Sequence, residues 1–462
     1  MKGSLKKQSE LLKVIENDYC VGCGMCAAKD PNQIKMYLNE YGQYKPKVKN
    51  FSGISEIEKI CPFTNDKVDE DVIAGELFRE TENIKHTDET GFYIDTFVGY
   101  TLDEEERLAA TSGGLISWLA QYLLKNDLID YIVCVGPSSE EGKHFEYQIV
   151  NSIEALAKCK KSKYYPVEVS SVIPKIRELE GRFLFIGLPC FIKALRKFTR
   201  LDPSLNEKIH YTIGLICGHL KTAKYARYLA HHCGVTNESI VNVDFRHKVK
   251  GNAAINYAFK VDYMKNNTLK SEQILMKNVW GSSWGNNLFM LKACEYCDDV
   301  FSETADITIG DAWLKDYSLD YRGHSLVLNR SNSFKEFLEA GISRNEIHLD
   351  KITIDEAIES QSAGLRQRRN GLNARLQMHE NNQWAPKKRK FATQYNYSFI
   401  YKIVQFLRIE LCKKSKETFL SQELNGKGLG YFKQKLWVYP FILWAINFPK
   451  RLKRKLMNIF KL

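Results

Sequence analysis

Eight cysteines carry the chemistry that this chain of 462 residues is best equipped to perform. Cys20, Cys23 and Cys26 form a C-x₂-C-x₂-C run, and a distant Cys61 is followed by Pro62. Thiolates at this spacing suit a 4Fe–4S cluster, which takes four cysteine ligands. Gly22 and Gly24 support that reading, because glycine lets the backbone curl and turn its N–H groups toward the sulfurs. Zinc is the alternative for a set of four cysteines, but it favours two C-x₂-C pairs over a triple and a distant single. Disulfides fit less well. The opening MKGSLKKQSELLK has no apolar secretion core, so a reducing, cytoplasmic setting is expected.

The N-terminal run resembles half of a bacterial two-cluster ferredoxin, and Cys61-Pro62 resembles that fold's closing ligand. Where the full pattern has a fourth cysteine four residues after the third, this chain has Asp30, followed by Pro31. The expectation is a module that keeps one cluster and lacks its neighbour.

A second set lies in the body. Cys190 follows the apolar run Phe183–Ile186 and an expected turn at Gly187-Leu188-Pro189, and Cys217 ends the apolar run that starts at Tyr211. Cys294 and Cys297 form a C-x₂-C pair. Two cysteines at strand ends plus that pair are four thiolates able to converge at one edge of a sheet. Cys134, Cys159, Cys233 and Cys412 read as ordinary buried cysteines. Thr111-Ser112-Gly113-Gly114 opens a helix, either with N–H groups facing a phosphate or other anion or as a plain Ser/Thr cap. The chain has no G-x-G-x-x-G, P-loop or HExxH.

These residues must be held by alternating elements. Helices are expected over Leu115–Lys125, Val172–Leu179 and about Lys221–His232, the last ended by Gly234. Strands are expected at Tyr131–Gly136, Phe183–Gly187 and Asp306–Ile309. The pattern implies an α/β body with a mixed or mostly parallel sheet. Gly251 to Gly285 reads as antiparallel strands covering a site, and Gly310-Asp311 as a turn after a strand.

Hydrophobic content of 44% and charged content of 26% are those of an ordinary globular protein. The net charge of +12 is concentrated at one end. From Lys387 to Leu462 there are 18 Lys and Arg against 3 Asp and Glu, leaving 49 against 52 in the remainder. No apolar segment approaches the ~20 residues needed to span a bilayer, and no nucleic-acid-binding module is present. Leu436–Ile446 is apolar, holds Trp437, Tyr439 and Trp444, and precedes the basic run Lys450–Lys455. That pairing suits peripheral contact with an anionic leaflet, or else a basic amphipathic helix packed on the body or on a partner.

Taken in order, these stretches resemble the beta subunit of the coenzyme F420 (deazaflavin) hydrogenases and dehydrogenases. The matching segments are Cys20–Cys26, Thr111–Gly114, Ser162–Pro166, Gly187–Cys190, Gly214–Gly218, Asp244–Arg246, Cys294–Cys297 and Gly310–Trp313. The resemblance implies a ferredoxin-like 4Fe–4S module over 1–80 and an α/β flavin-binding domain in two parts, 90–180 and 181–360. A helical, basic extension over 361–462 departs from the family core. It further implies a second 4Fe–4S cluster on Cys190, Cys217, Cys294 and Cys297, and FAD contacted by Thr111, Ser112, Gly113 and Gly114. Lys163 and Arg246 become cationic partners for its phosphates or for substrate, or else form structural salt bridges. The implied activity is an oxidoreductase passing electrons between a ferredoxin or partner subunit, the clusters, FAD and an organic or deazaflavin substrate. The rivals are a non-catalytic relay subunit, a polysaccharide-biosynthesis accessory protein and a zinc-stabilised scaffold.

Overall fold

Short apolar runs build the centre of the protein. Ile307–Asp311, Ile209–Leu215, Phe183–Gly187 and Tyr131–Pro137 lie side by side and parallel, as the middle of an eight-stranded sheet. Phe145–Val150 pairs antiparallel at one edge. Ser325–Asn329, Asp95–Thr101 and Ile347–Lys351 extend the other edge, each antiparallel to its neighbour. The sheet is therefore mixed, with parallel pairing confined to its middle. The computed structural model describes residues 9–49, 53–236, 238–379, 383–389 and 396–447.

Side chains of successive strand residues point to opposite faces, and here both faces are covered. Phe183 and Phe185 pack on one side, Leu184 and Ile186 on the other. Leu115–Lys125 and Asn332–Ser343 cover the Leu184 side. Val172–Glu178, Pro189–Thr199, Lys224–His232 and Phe399–Leu424 contribute to the core on the Phe185 side. Burial on both faces explains why Phe183–Gly187 is continuously apolar rather than alternating.

Leu115–Lys125 and Phe183–Gly187 form with the expected bounds. The helix expected from Lys221 begins at Lys224. Ser239–His247, Ala258–Lys265 and Thr268–Leu275 make a separate antiparallel sheet, which starts before the Gly251 expected from sequence.

The N-terminal segment combines the helices Glu10–Glu16, Met25–Lys29, Ile54–Glu58 and Glu70–Phe78 with a hairpin, Ile34–Leu38 against Tyr44–Val48. It shares its core with the body: Tyr19, Val21, Met25 and Phe63 belong to the same buried cluster as Phe185 and Phe191. At the other end, Phe399–Leu424 is integral to the fold. It buries Leu411 and Phe419, and its Ser415 Oγ accepts the Phe289 N–H at 2.9 Å. Leu429–Leu436 and a helical stretch over 438–447 follow. No described helix is long and apolar enough to cross a membrane. The basic run Lys450–Lys455 lies outside the described residues.

Candidate metal centres and an adjoining cationic cleft

Cys20 and Cys23 sit on the loop that enters the helix Met25–Lys29, Cys26 lies within it, and Cys61 follows Ile54–Glu58. Gly22 (φ +73°) and Gly24 (φ +83°) give the loop its curl. A Cβ on Gly24 would stand 2.3 Å from Glu168 Oε2 and 3.0 Å from Val169 N, so neither the turn nor the space admits a side chain. The curl directs the Gly22 N–H at Cys20 Sγ, 3.3 Å away. The four thiols are close enough to feel one another's charge. Burial raises all of them, Cys61 to about 11. Two lysines brace the loops: Lys45 Nζ donates to the Cys20 carbonyl at 3.2 Å and Lys197 Nζ to that of Cys61 at 3.0 Å. Asp30, standing in for the fourth ferredoxin cysteine, accepts the N–H groups of Asn32 and Gln33 at 3.1 Å and so makes a turn.

The second set gathers at the C-terminal ends of the central strands, where open α/β sheets place their ligands. Cys190 is not at a strand end as expected. It is the second residue of the helix Pro189–Thr199, because Pro189 suits the first helical position and starts the helix directly after the strand. Cys217 lies two residues past Leu215, Cys294 within the short helix Lys292–Glu295, and Cys297 just beyond it. Cys190 feels the charges of Cys297, Cys217 and Cys294 and, from the first set, Cys23. Burial pushes Cys217 up to about 11 and Cys294 to about 12, against the pull of Arg368.

Arg368 is a residue that motif reading missed. It is 1% exposed and sits in a π-helical turn, Gln367–Gly371, within the stretch read as leaving the core. Its Nη2 donates to the Gly218 carbonyl at 2.6 Å and the Cys217 carbonyl at 3.2 Å, and reaches Cys217 Sγ at 3.7 Å. The Leu220 N–H points at Cys294 Sγ from 3.3 Å. The helix Pro189–Thr199 joins the two sets: it carries Cys190 in its first turn and Lys197, the brace on Cys61, in its last.

Among the described residues, no three or more His, Cys, Asp or Glu are gathered tightly enough to grip a single metal ion. A cubane makes a different demand, since four thiolates are spread over separate irons. Buried thiols, N–H donors aimed at sulfur and a buried cation beside them fit that demand.

Thr111–Gly114 lies near the same strand ends, but its polar groups are largely engaged. Thr111 Oγ1 accepts the Ser162 N–H at 2.7 Å, Ser112 Oγ donates to the His324 carbonyl at 2.5 Å, and the Gly113 N–H donates to Ser325 Oγ at 3.0 Å. Gly114 is the N-cap of Leu115–Lys125. Lys163 turns its ammonium onto the carbonyls of Cys159 at 2.5 Å, Lys161 at 2.8 Å and Lys160, closing its own turn. Arg246 pairs with Asp311 at 3.0 Å and lies over the rings of Tyr257 and Trp313. Asp311 is thus the last residue of a strand and the partner of a buried cation, rather than a turn residue.

Thr111, Arg246, Lys248, Tyr257 and Tyr321 line a shallow cleft. Lys248 donates to the Ser112 carbonyl at 2.9 Å, and burial lowers its pKa to about 7. The charge of this cleft suits a phosphate-sized anion.

Residues 96–174 match the family model for the N-terminal part of the coenzyme F420 hydrogenase/dehydrogenase beta subunit, and residues 180–355 match the model for its C terminus. The chain is 23% identical over 324 residues to a subunit of the F420H2 dehydrogenase of Methanosarcina mazei, covering 66% of this chain and 79% of that one. Among solved structures, a chain of the F420-reducing NiFe hydrogenase complex from Methanosarcina barkeri matches with a TM-score of 0.50. At 18% identity, with 65% of this chain and 99% of that one covered, this likeness speaks to the fold alone. The two family matches adjoin and together span more than half of the sequence, including the large mixed sheet and all four cysteines at its edge. The chain therefore belongs to the family of beta subunits of the coenzyme F420 hydrogenases and dehydrogenases.

Proposed function

We propose that this protein is the electron-transfer subunit of an oxidoreductase, with one 4Fe–4S cluster on Cys20, Cys23, Cys26 and Cys61 and a second on Cys190, Cys217, Cys294 and Cys297. It would link an electron-donor protein or partner subunit to a small-molecule or deazaflavin substrate. The observation that carries this reading is the helix Pro189–Thr199, which holds Cys190 in one set and braces Cys61 of the other. When bound, the clusters supply one-electron transfer, and a flavin would exchange it with two-electron chemistry.

The chain's own residues prepare the sites. The Gly22 and Leu220 N–H groups point at sulfurs, and Arg368 sets a fixed positive charge against the thiolates of the inner set. Arg246 and Lys248 supply the cationic wall on which the phosphates of a flavin would rest. A relay subunit without a substrate site of its own is the second reading, favoured by the pairing of Arg246 with Asp311 and the internal hydrogen bonds of Thr111, Ser112 and Gly113.

Anaerobic purification with iron, sulfide, zinc and flavin measured together tests the proposal. About eight irons per chain are expected from two cubanes. Zinc without iron would overturn the assignment in favour of a scaffold. Stoichiometric flavin and turnover of a hydride donor by the chain alone would dismiss the relay reading.

A further inference from the structure

The last helical stretch of the described chain, over 438–447, has two unlike sides. Leu436 and Leu443 are buried, and Tyr439, Ile442 and Ile446 pack against the core. Trp437, Phe441 and Trp444 stand 55%, 55% and 48% exposed at i, i+4 and i+7, which is one face of a helix. Their rings lie together, with centroids 5.9 Å apart for Trp437–Phe441 and 6.2 Å for Phe441–Trp444. Val438, 38% exposed, widens the patch. Scattered exposed apolar residues need no explanation, but three contiguous large aromatics do.

Charge decides what covers them. From Leu424 to Leu462 the sequence has no Asp or Glu and nine Lys and Arg. Lys427, Lys433 and Lys435 belong to the adjoining turn and helix, and six more follow the aromatic face in sequence. Protein–protein interfaces gather aromatics but are depleted of lysine. The headgroup region of a bilayer takes tryptophan and lysine side by side, and an acid-free cationic segment meets least repulsion at an anionic leaflet. Ten residues are far too few to span the ~20-residue thickness of a bilayer, which leaves a helix lying in the interface plane.

We infer that the aromatic face Trp437–Phe441–Trp444 seats the protein on an anionic membrane surface, its rings in the headgroup region and the flanking lysines on lipid phosphates. The inference is independent of the redox reading, because nothing in it depends on electron transfer.

Flotation of the full-length, cluster-loaded protein with vesicles tests it. The expected result is binding to equal parts phosphatidylcholine and phosphatidylglycerol, at least about tenfold weaker binding to phosphatidylcholine alone, and release by salt. Tryptophan emission should shift to the blue on binding. Replacing all three aromatics together (W437A, F441A, W444A) should cut binding by more than about tenfold and leave the iron content unchanged, since their exposed faces support no buried contact of the cysteine sets. Equal binding to both vesicle types, no flotation with either, or full binding by the triple variant would overturn the inference. So would a lipid-free dimer that the triple variant dissolves, since the face would then belong to a second copy of the chain.

Discussion

The two cysteine sets reach similar ends by opposite routes. Three members of the first lie within seven residues, and a glycine curl with its own N–H donors shapes the loop around them. The second is assembled from three separated segments that meet only because the central strands end side by side. The first is mostly a local device, with only Cys61 and its brace Lys197 reaching it from farther along the chain. The second is a product of the whole fold, and its charge partner, Arg368, lies 151 residues from Cys217. The comparison teaches that local sets are encoded by spacing and distributed ones by topology.

Ligand removal should separate the sets most strongly. Cys23→Ser and Cys217→Ser are each expected to lose about half of the iron, from different sets. Their effects on folding should differ. Metal binding across separated segments is also folding free energy, so Cys217→Ser should lower the Tm by several degrees more than Cys23→Ser. Equal thermal losses, read by circular dichroism on anaerobic samples, would remove the distinction between a local and a distributed set.

The next effect concerns the arginine of the distributed set. Arg368→Met keeps all eight cysteines but orphans the carbonyls of Cys217 and Gly218, at a cost of about 2–4 kcal/mol. It also removes a buried cation beside the inner thiolates, so the reduction potential of the inner cluster should fall while that of the Cys20–Cys61 cluster stays. Electron paramagnetic resonance during a redox titration resolves the two. A shift of both clusters, or of neither, would contradict the assignment of Arg368 to the inner set.

This division also explains what is legible in the sequence. The run Cys20–Cys26, its two glycines, the helix Leu115–Lys125 and the strand Phe183–Gly187 are readable because each is specified by neighbours within a few residues. The convergence of Cys190, Cys217, Cys294 and Cys297 is readable only as an option, since it depends on strand order. Cys190 is expected at a strand end because an apolar run shows where a strand lies but not how soon a helix follows. Strand direction is equally silent in such a run, so a mixed sheet is expected without a reading of which strands run antiparallel. Arg368 and Lys248 escape notice because their partners are backbone carbonyls and a sulfur, which leave no complementary charge or spacing in the sequence. For Lys163 the sequence leaves a ligand-facing and a structural role open, and in the fold its ammonium closes a local turn.

Backbone strain offers a smaller contrast between the same two sets. Gly24→Ala must hold a side chain at φ +83° and 2.3 Å from Glu168 Oε2, and should cost about 1–3 kcal/mol. Gly218→Ala beside Cys217 meets only Trp284 at 3.7 Å, an ordinary contact, and should stay within about 0.5 kcal/mol of the parent. Urea unfolding of both variants makes the comparison. Equal costs would mean that the N-terminal curl is not held by its glycines.

The smallest expected effect belongs to the cleft. Burial is the main reason that the Lys248 ammonium titrates near 7 in the folded protein rather than at its ordinary 10.5. Between those values the unfolded chain keeps a proton that the folded one has released, so the stability contributed by this site rises as pH climbs from about 7 toward 10. Below about pH 7 both states are protonated and the burial penalty is constant. Lys248→Met removes the titration, so the variant's stability relative to the parent should decline as pH rises through this window. Paired urea curves at neutral and alkaline pH read the change directly. An unchanged difference between variant and parent would show that Lys248 keeps its charge in the fold and that the cleft is more open to water than its walls imply.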